Sequence, residues 1–327
     1  MTNKVLNWGL LSTARINRAL IPVLRSSRRN RLTTVASRNL AAAQEYAREW
    51  KIPVAHGSYE ALLKDPEVQV IYIPLPNSLH AEWSIRALRA GKHVLCEKPL
   101  ALSVDEVDAM TAAARESGRV LAEALMYRHH PQTRRVKDVV DSGTLGELKV
   151  IKGAFTFSLK REGDVRLDSQ LGGGSIWDVG SYPISYARLI AASEPVEVFG
   201  WQVTEQGGVD VGFVGQMRFG GDLLAQFESG FRSPVRQYVE IVGAEGSLHI
   251  PMPFNPRRDQ RLEIRRGDHV ENLIIRGADL YMGEVEDMAD AVLNGEAPRV
   301  SLADSRGNVA AIAALLESAR TGKPVRL

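Results

Sequence analysis

The chain has 327 residues, of which 44% are hydrophobic and 24% are charged, which is ordinary for a globular protein of about two domains. The net charge of +2 gives no electrostatic reason to expect nucleic acid or an anionic membrane as a partner. No apolar run reaches the ~20 residues needed to cross a bilayer. Composition therefore argues against the nucleic-acid-binding and membrane-spanning classes of protein.

Cys96 is the one cysteine in the sequence and cannot form an internal disulfide, which favours a reducing compartment. The N-terminus lacks the charged and apolar regions of a signal peptide. We therefore expect a cytoplasmic protein. Cys96 lies within an apolar segment, where a core thiol is expected rather than a nucleophile.

Residues 1–125 alternate between short apolar strands and amphipathic helices. The predicted strands are residues 5–10, 32–36, 68–73, 93–96 and 120–124, and the predicted helices are residues 16–24, 40–50, 59–64 and 79–90. A further helix begins at Ser103, which forms a capping box with Glu106. Repeated β-α units with fully apolar strands predict a doubly wound parallel sheet that helices cover on both faces.

After about residue 145 the pattern changes to strands separated by glycine-rich turns, which are hairpin signals. The predicted strands are residues 147–157, 195–205, 211–219, 223–231, 238–243, 247–250, 262–266 and 270–275, and the predicted helices are 182–192, 282–293 and 302–321. Residues 126–327 are therefore predicted to form an α+β domain on a mostly antiparallel, open sheet. Because such a sheet needs to be covered, we expect a homodimer or homotetramer.

The turn after the first predicted strand resembles a dinucleotide-binding turn only in part. Gly9 matches the glycine fingerprint, and Ala14 can replace a glycine where packing needs a small residue. Ser12 and Thr13 can donate hydroxyl hydrogen bonds to a pyrophosphate at the start of the next helix. Ordinary helix capping by Ser12 or Thr13 is an alternative explanation of the same residues. The candidate cofactor contacts here are Gly9, Ser12, Thr13, Ala14, Arg15 and Ile16.

The second predicted strand ends at Ser37, Arg38 and Asn39, where NAD-selective sites usually place a carboxylate. A carboxylate repels a 2′-phosphate, whereas Ser37 and Arg38 can both donate hydrogen bonds to one. The sequence therefore predicts NADP(H) as the preferred cofactor over NAD(H). The alternative is that Arg38 is an ordinary surface arginine.

Two further loops follow predicted parallel strands, and the carboxyl ends of such strands are where ligands bind. Residues 73–80 contain two prolines that stiffen the first loop, and Asn77 or Ser78 is expected to cap the next helix. In the second loop, Pro99 restricts Lys98 to an extended conformation. The candidate cofactor contacts in the two loops are Pro74, Leu75, Asn77, His80, Glu97 and Lys98.

The motifs together resemble the Gfo/Idh/MocA family of NAD(P)-dependent oxidoreductases. The matching segments are the turn at Gly9, residues 74–80, residues 90–100, and residues 172–183, which contain Trp177, Asp178 and Tyr182. The resemblance implies an N-terminal Rossmann domain, a C-terminal α/β domain whose open sheet often makes oligomer contacts, and action on hydroxyls or ketones of sugars, inositols and related cyclic alcohols. Some family members carry a histidine at the position of Tyr182. The tyrosine at this position resembles a branch of the family that contains dihydrodiol dehydrogenases, xylose dehydrogenases and 3-ketosugar reductases.

The chemistry expected from this resemblance is hydride transfer coupled to proton movement on oxygen. Tyr182 is the candidate acid/base and Lys98 its partner, because a neighbouring ammonium lowers a tyrosine pKa from its usual value of about 10. Lys98 would also stabilise a developing alkoxide, and the proton carrier could equally be Lys98 itself. Asp178, four residues before Tyr182, would share a helix face with it and orient a hydroxyl or Lys98.

The remaining site residues are assigned by the resemblance. Tyr127, Arg128, Arg166 and Trp177 are candidate substrate contacts, and Tyr281 is expected to face the nicotinamide. Adjacent His129 and His130 lack metal-ligand spacing, so no metal is expected. Two alternatives to a sugar oxidoreductase remain open: a dehydrogenase for trans-dihydrodiols, and a sensor that binds NADP without catalysis.

Overall fold

The computed structural model describes residues 5–160, 163–205, 207–277 and 279–327. The chain divides into two compact units. The first contains Met1–Met126 and Tyr281–Arg306, and the second contains Tyr127–Leu280 and Gly307–Leu327.

The first unit is built on a six-stranded sheet in which all neighbouring strands pair in parallel. Its strands are β1 (Leu6–Leu11), β2 (Asn30–Ala36), β3 (Val54–His56), β4 (Val70–Ile73), β5 (His93–Glu97) and β6 (Leu121–Ala124). Their order, β3-β2-β1-β4-β5-β6, is that of a Rossmann fold. This confirms the predicted doubly wound sheet, and its chain order reverses between β1 and β4, where such sheets bind ligands.

Five helices connect these strands. They are α1 (Asn17–Ser26), α2 (Leu40–Glu49), α3 (Tyr59–Lys64), α4 (His80–Arg89) and α5 (Val104–Ser117). The predicted cap at Ser103 is confirmed, because Ser103 Oγ accepts the Glu106 N–H at 3.2 Å. The reciprocal bond of the capping box differs, since Glu106 Oε2 accepts the Leu102 N–H at 2.9 Å and not that of Ser103. The expected cap of α4 is wrong: a 3-10 turn over Asn77–Leu79 precedes the helix, and its N-cap is Leu79 without a side-chain bond.

The second unit contains a nine-stranded sheet that is antiparallel except where β10 pairs with β7. Its first eight strands are β7 (Leu148–Ser158), β8 (Glu197–Thr204), β9 (Asp210–Arg218), β10 (Leu224–Gly230), β11 (Arg232–Gly243), β12 (Ser247–Ile250), β13 (Asp259–Arg266) and β14 (His269–Arg276). The order is β14-β13-β12-β11-β7-β10-β9-β8, followed by an edge strand, β15 (Val325–Arg326). The predicted mostly antiparallel sheet is therefore confirmed.

Two helices of this unit lie between β6 and β8 in the sequence: α6 (Pro131–Asp141) and α7 (Ser181–Ala191). A π-helical turn over Ile176–Gly180 leads directly into α7. Almost all of α7 is buried, and Gly153 of β7 permits its close approach. A Cβ atom at Gly153 would lie 2.9 Å from Cβ of Pro183. The helix therefore packs on one face of the antiparallel sheet.

The helix α8 (Met282–Asn294) belongs to the first unit, although it follows the last long strand of the second unit. Its residues Val285, Met288 and Ala289 are buried in the same apolar cluster as Trp8 and Leu10 of β1. The last helix is α9 (Leu302–Thr321). Within the described residues, no helix is both long and apolar enough to cross a membrane.

Candidate active site

The turn after β1 has an unusual backbone conformation at Ser12. Its φ angle is +140°, which is uncommon for a residue other than glycine. Ser12 Oγ accepts the Ala14 N–H at 3.2 Å, and its carbonyl accepts from Nδ2 of buried Asn17 at 2.9 Å. α1 begins after Ile16 without a side-chain cap. The alternative in which Ser12 or Thr13 serves as an ordinary cap is therefore wrong.

The three residues that follow β2, Ser37, Arg38 and Asn39, include no carboxylate. Ser37 is half-buried and donates its backbone N–H to His56 at 3.1 Å. Asn39 caps α2 by accepting the Ala42 N–H at 3.1 Å. Arg38 is exposed, and its charge lowers the pKa of nearby Tyr59, which burial raises more strongly. A cationic side chain is thus available where NAD-selective proteins use an acid.

His80 joins the two loops that follow β4 and β5. It is fully buried, with Nδ1 2.8 Å from the Pro99 carbonyl oxygen and Nε2 2.8 Å from the Leu75 carbonyl oxygen. A neutral imidazole has one N–H to donate, and burial lowers the pKa of His80. His80 therefore positions the backbone of both loops, with its ring nitrogens directed at protein carbonyls.

Glu97 and Lys98 stand where β5 ends, and both side chains are half-buried. The Tyr72 hydroxyl of β4 donates to Glu97 Oε1, and Glu97 Oε2 accepts the Lys98 N–H at 3.3 Å. Burial and the charge of Glu97 raise the pKa of Tyr72 far above its usual value. The hydroxyl of Tyr72 is therefore a stable donor that holds the Glu97 carboxylate in place.

Tyr72 and Glu284 also belong to this region, although no sequence pattern indicated them. Glu284 lies in the first turn of α8, near Tyr281, and is 1% exposed. Neither of its carboxyl oxygens has a hydrogen-bond partner in the part of the chain that the structure describes. Burial and the charge of Glu97 raise its pKa well above the usual range. Tyr72 lies within a continuously apolar strand and reads as a core residue, and nothing local distinguishes Glu284 from an exposed first-turn acid.

In the second unit, Arg166 is held between two carboxylates. Its Nε donates to Asp178 Oδ2 at 2.5 Å and its Nη1 to Asp164 Oδ1 at 3.2 Å. Asp178 and Asp164 raise the pKa of Arg166 although burial lowers it. The structure thus brings together Arg166 and Asp178, which are twelve residues apart. The cluster combines fixed donors and acceptors of hydrogen bonds, which is what a polyhydroxylated ligand requires.

Tyr182, the candidate acid/base, lies in an aromatic environment and is 6% exposed. Its ring centre is 5.3 Å from that of Phe155, 5.5 Å from that of Phe254 and 5.7 Å from that of Tyr127. These three rings limit the orientations that the Tyr182 phenol can adopt.

Tyr127 and Arg128, both candidate substrate contacts, converge on Ser185 in α7. Ser185 Oγ accepts from the Tyr127 hydroxyl at 2.8 Å and from Arg128 Nη1 at 3.1 Å. Trp177, the remaining candidate, is 8% exposed. Arg128 and Arg166 are half-buried, so each can still offer N–H groups at the protein surface.

The single cysteine belongs to the hydrophobic core. Cys96 is fully buried, and burial raises its pKa, as expected for a core thiol. Across the ranges that the structure describes, no three His, Cys, Asp or Glu side chains are grouped closely enough to hold a metal ion.

A parallel sheet in the Rossmann order, with a cationic residue after β2 and a lysine after β5, defines a dinucleotide-binding type of protein. Comparison with known families agrees. Residues 6–125 match the oxidoreductase family with an NAD-binding Rossmann fold, Gfo/Idh/MocA, and residues 133–249 match the C-terminal domain of the same family. The chain belongs to this family, and the resemblance seen in its motifs is confirmed.

Curated relatives match most or all of the chain. It is 39% identical to D-xylose 1-dehydrogenase (NADP(+)) 2 of Haloferax volcanii, over 98% of this chain and 99% of that protein. It is 33% identical to trans-1,2-dihydrobenzene-1,2-diol dehydrogenase of Danio rerio, over 75% of this chain and 74% of that protein.

A solved structure with a closely similar fold is a 3-ketoreductase from Actinomadura kijaniata in complex with NADP and TDP-benzene. The TM-score is 0.92 at 33% sequence identity, covering 96% of this chain and 98% of that chain. Solved variants of the same ketoreductase replace a tyrosine by phenylalanine and a lysine by alanine or glutamate. In sequence, those two positions are separated by the same distance as Lys98 and Tyr182.

Proposed function

We propose that the protein is an NADP(H)-dependent oxidoreductase that transfers hydride to or from a carbon bearing a ring hydroxyl or ketone of a sugar or related cyclic alcohol. The observation that carries the proposal is Lys98, placed at the carboxyl end of β5 beside a glutamate that Tyr72 holds. A sensor that only binds NADP does not require this lysine. Full-length similarity to an NADP-dependent xylose dehydrogenase supports the same reaction class.

The cofactor proposed is NADP(H) in preference to NAD(H), and the residues after β1 and β2 fit it. The turn at Ser12 and Thr13 places two hydroxyls after β1, and Ser37 with exposed Arg38 offers donors to a 2′-phosphate without a repelling carboxylate. The cofactor, when bound, supplies or accepts the hydride. His80 holds the Leu75 and Pro99 backbones, so the loops that would contact the nicotinamide half are set before binding.

For the proton, we propose that Tyr182 and Lys98 serve the same reacting oxygen. One of them donates or removes the proton on that oxygen, and the other stabilises the charge that develops on it. The aromatic rings around Tyr182 keep its phenol oriented. The matched spacing of the substituted lysine and tyrosine in the ketoreductase supports a shared role.

For the substrate, we propose that Arg166, paired with Asp178, binds ring hydroxyls, and that Tyr127, Arg128 and Trp177 line the same pocket. Because two carboxylates already neutralise Arg166, the cluster carries no surplus positive charge. This favours a neutral sugar over one that bears a phosphate.

A second candidate function is oxidation of a trans-dihydrodiol. It is favoured by the aromatic rings of Tyr127, Phe155 and Phe254 around Tyr182, which would suit a less polar ring. Similarity to a dihydrodiol dehydrogenase over three quarters of the chain supports it.

We also propose that the protein is cytoplasmic and forms a homodimer or homotetramer. Trp201 of β8 and Val214 of β9 are cross-strand partners and are 58% and 49% exposed. Leu224 of β10, 51% exposed, pairs with Arg218, which lies four residues beyond Val214 on the same face of β9. Such an apolar sheet face is usually covered by a partner, and light scattering after size-exclusion chromatography would measure the mass of the assembly.

The deciding experiment follows nicotinamide absorbance with NADP⁺ and NAD⁺, and with NADPH and NADH, over aldoses, ketosugars, inositols and dihydrodiols. We expect turnover with free sugars and a higher kcat/KM for NADP⁺, a preference that Arg38→Ala reduces by about tenfold or more, the loss of one charged hydrogen bond. Turnover confined to dihydrodiols would establish the second candidate. Tight NADPH binding without turnover on any substrate class would overturn both.

A further inference from the structure

Asp210 of β9 is a buried carboxylate whose partners lie at the start of the helical segment that carries Asp178 and Tyr182. Asp210 is 4% exposed. Its Oδ2 accepts the Ser175 hydroxyl at 2.5 Å and the Ile176 N–H at 3.0 Å. Charge-assisted hydrogen bonds of this kind are shorter and stronger than neutral ones. The carboxylate is therefore a directional anchor for the first residue of the π-helical turn.

Ser229 of β10 adds a second anchor on the neighbouring strand. Its Oγ lies 3.1 Å from Ser175 Oγ, and a Cβ atom at Gly180 would lie 3.0 Å from the same hydroxyl. Ser175 precedes the π-helical turn and Gly180 ends it. The two strands thus contact both ends of the turn.

Gly174 connects this anchor to the Arg166 cluster. Its φ angle is +118°, and a Cβ atom there would lie 2.5 Å from Asp210 Oδ1. The Gly174 N–H donates to the Arg166 carbonyl at 2.9 Å, and the Gly174 carbonyl accepts the Asp178 N–H at 3.1 Å. Asp210 therefore packs against Gly174, the residue where the Arg166 segment and the helical segment meet.

We propose that Asp210 is a positioning residue that holds the segment Ile176–Gly180 in the π-helical form and thereby directs Asp178 toward Arg166. A π turn holds one more residue than an α turn closed by the same backbone groups. Reversion to α geometry would change the rotation of Asp178 about the helix axis, relative to the Arg166 segment, by up to about 100°. Asp178 would then no longer meet Arg166. This inference rests on the proposed function, which gives Asp178 and Tyr182 their roles.

The test compares Asp210→Asn with Arg188→Met, a buried site in α7 that pairs with Glu194 beyond the end of that helix. In Asp210→Asn one of the two carboxylate oxygens becomes an N–H₂ group and the negative charge is lost, so the segment loses an acceptor and its remaining hydrogen bonds are no longer charge-assisted. We expect kcat/KM for the sugar to fall about 10- to 100-fold, the cost of a misplacement of about 1 Å. NADPH affinity should stay within about twofold.

Hydrogen exchange of the peptide covering residues 172–182 provides a readout that does not depend on turnover. We expect it to rise in Asp210→Asn and, less strongly, in Ser229→Ala, but not in Arg188→Met. Equal changes in Asp210→Asn and Arg188→Met, in exchange or in kcat/KM, would show that Asp210 has only a general structural role. Should Asp210→Asn not fold, Ser229→Ala decides the question with the same two readouts.

The proposed roles of Asp178 and Tyr182 can be disproved separately from the proposed role of Asp210. Wild-type turnover in Asp178→Asn and Tyr182→Phe would overturn their proposed roles, whatever the exchange data show. Faster exchange in Asp210→Asn with wild-type turnover, while Asp178→Asn is impaired, would instead overturn the link from Asp210 to the sugar site.

Discussion

The two candidate regions of this protein are assembled in different ways. In the first unit, site residues follow the carboxyl ends of strands in one parallel sheet, so Lys98 comes directly after β5 and Ser37 directly after β2. In the second unit, Asp178 and Tyr182 lie on a helical segment anchored by Asp210, which is far away in sequence. A parallel sheet positions its site residues through the order of its strands, whereas the antiparallel sheet needs specific long-range side-chain contacts to position them.

The means of orientation also differ. In the first unit, the loops are held mainly through the backbone, as where His80 faces the Leu75 and Pro99 carbonyls. In the second, carboxylates orient a guanidinium. We therefore expect substitutions in the first region to affect stability together with cofactor binding. In the second region, substitutions should affect kcat/KM for the sugar more than they affect binding of the cofactor.

The largest effect is expected when the proposed proton-handling groups of either region are removed. Lys98→Met and Tyr182→Phe should each lower kcat by about 10²- to 10⁴-fold, the usual contribution of general acid/base catalysis. Steady-state assays with the best substrate from the panel would measure this.

Matched controls exist for both. Lys92→Met removes the other lysine flanking β5, whose Nζ donates to the Asp65 and Val68 carbonyls, and should cost stability but not turnover. Tyr186→Phe removes a neighbouring tyrosine of the same helix. Near-wild-type kcat in Tyr182→Phe would exclude the tyrosine from the chemistry.

A smaller effect is expected from Asp178→Asn in the second region. Loss of the charged hydrogen bond to Arg166 should cost about 1.5 to 3 kcal/mol, seen as a 10- to 100-fold lower kcat/KM for the sugar. NADPH affinity, measured by fluorescence titration, should not change. Equal weakening of sugar and cofactor would contradict the separation of the two regions.

His80→Ala tests the first region, where His80 is expected to hold the two loops. It removes the one N–H that the neutral imidazole donates to the Leu75 or Pro99 carbonyl, which costs about 1 to 3 kcal/mol, so the melting temperature should fall by several degrees and NADPH affinity should fall with it. His93→Asn is a control at the opposite end of β5, where His93 Nδ1 accepts the Val120 N–H at 3.0 Å. A stable His80→Ala protein with unchanged NADPH affinity would show that the loops do not need this side chain.

The smallest effect concerns pH and Glu284. Because its pKa is raised in the folded protein, the folded state keeps a proton that the unfolded state loses above its ordinary pKa. Stability should therefore fall as pH rises from about 4.5 toward the folded-state pKa, by about 1.4 kcal/mol for each unit of difference. Glu284→Gln, which cannot ionise, should flatten this part of the curve of melting temperature against pH. Parallel curves for the two proteins would mean that Glu284 does not titrate differently on folding.

Much of the first region was predictable because its signals are local. The strand ends, the cap at Ser103 and the loop at Lys98 all depend on residues within one turn or one strand. The cap expected at Asn77 or Ser78 was wrong because a 3-10 turn occupies these positions. The helix α6 was missed, although Pro131 at its first position is a helix-start signal.

Apolar periodicity and short motifs were enough to predict the class of both sheets and the family, and they supply the proposal for the residues that carry the chemistry. Only the tertiary structure decided that α8 packs with β1, that Glu284 is buried near Glu97, and that Asp210 anchors the π-helical turn before Tyr182. The physical reason is that burial and pairing of a polar side chain depend on contacts between residues far apart in the chain, which no local pattern records.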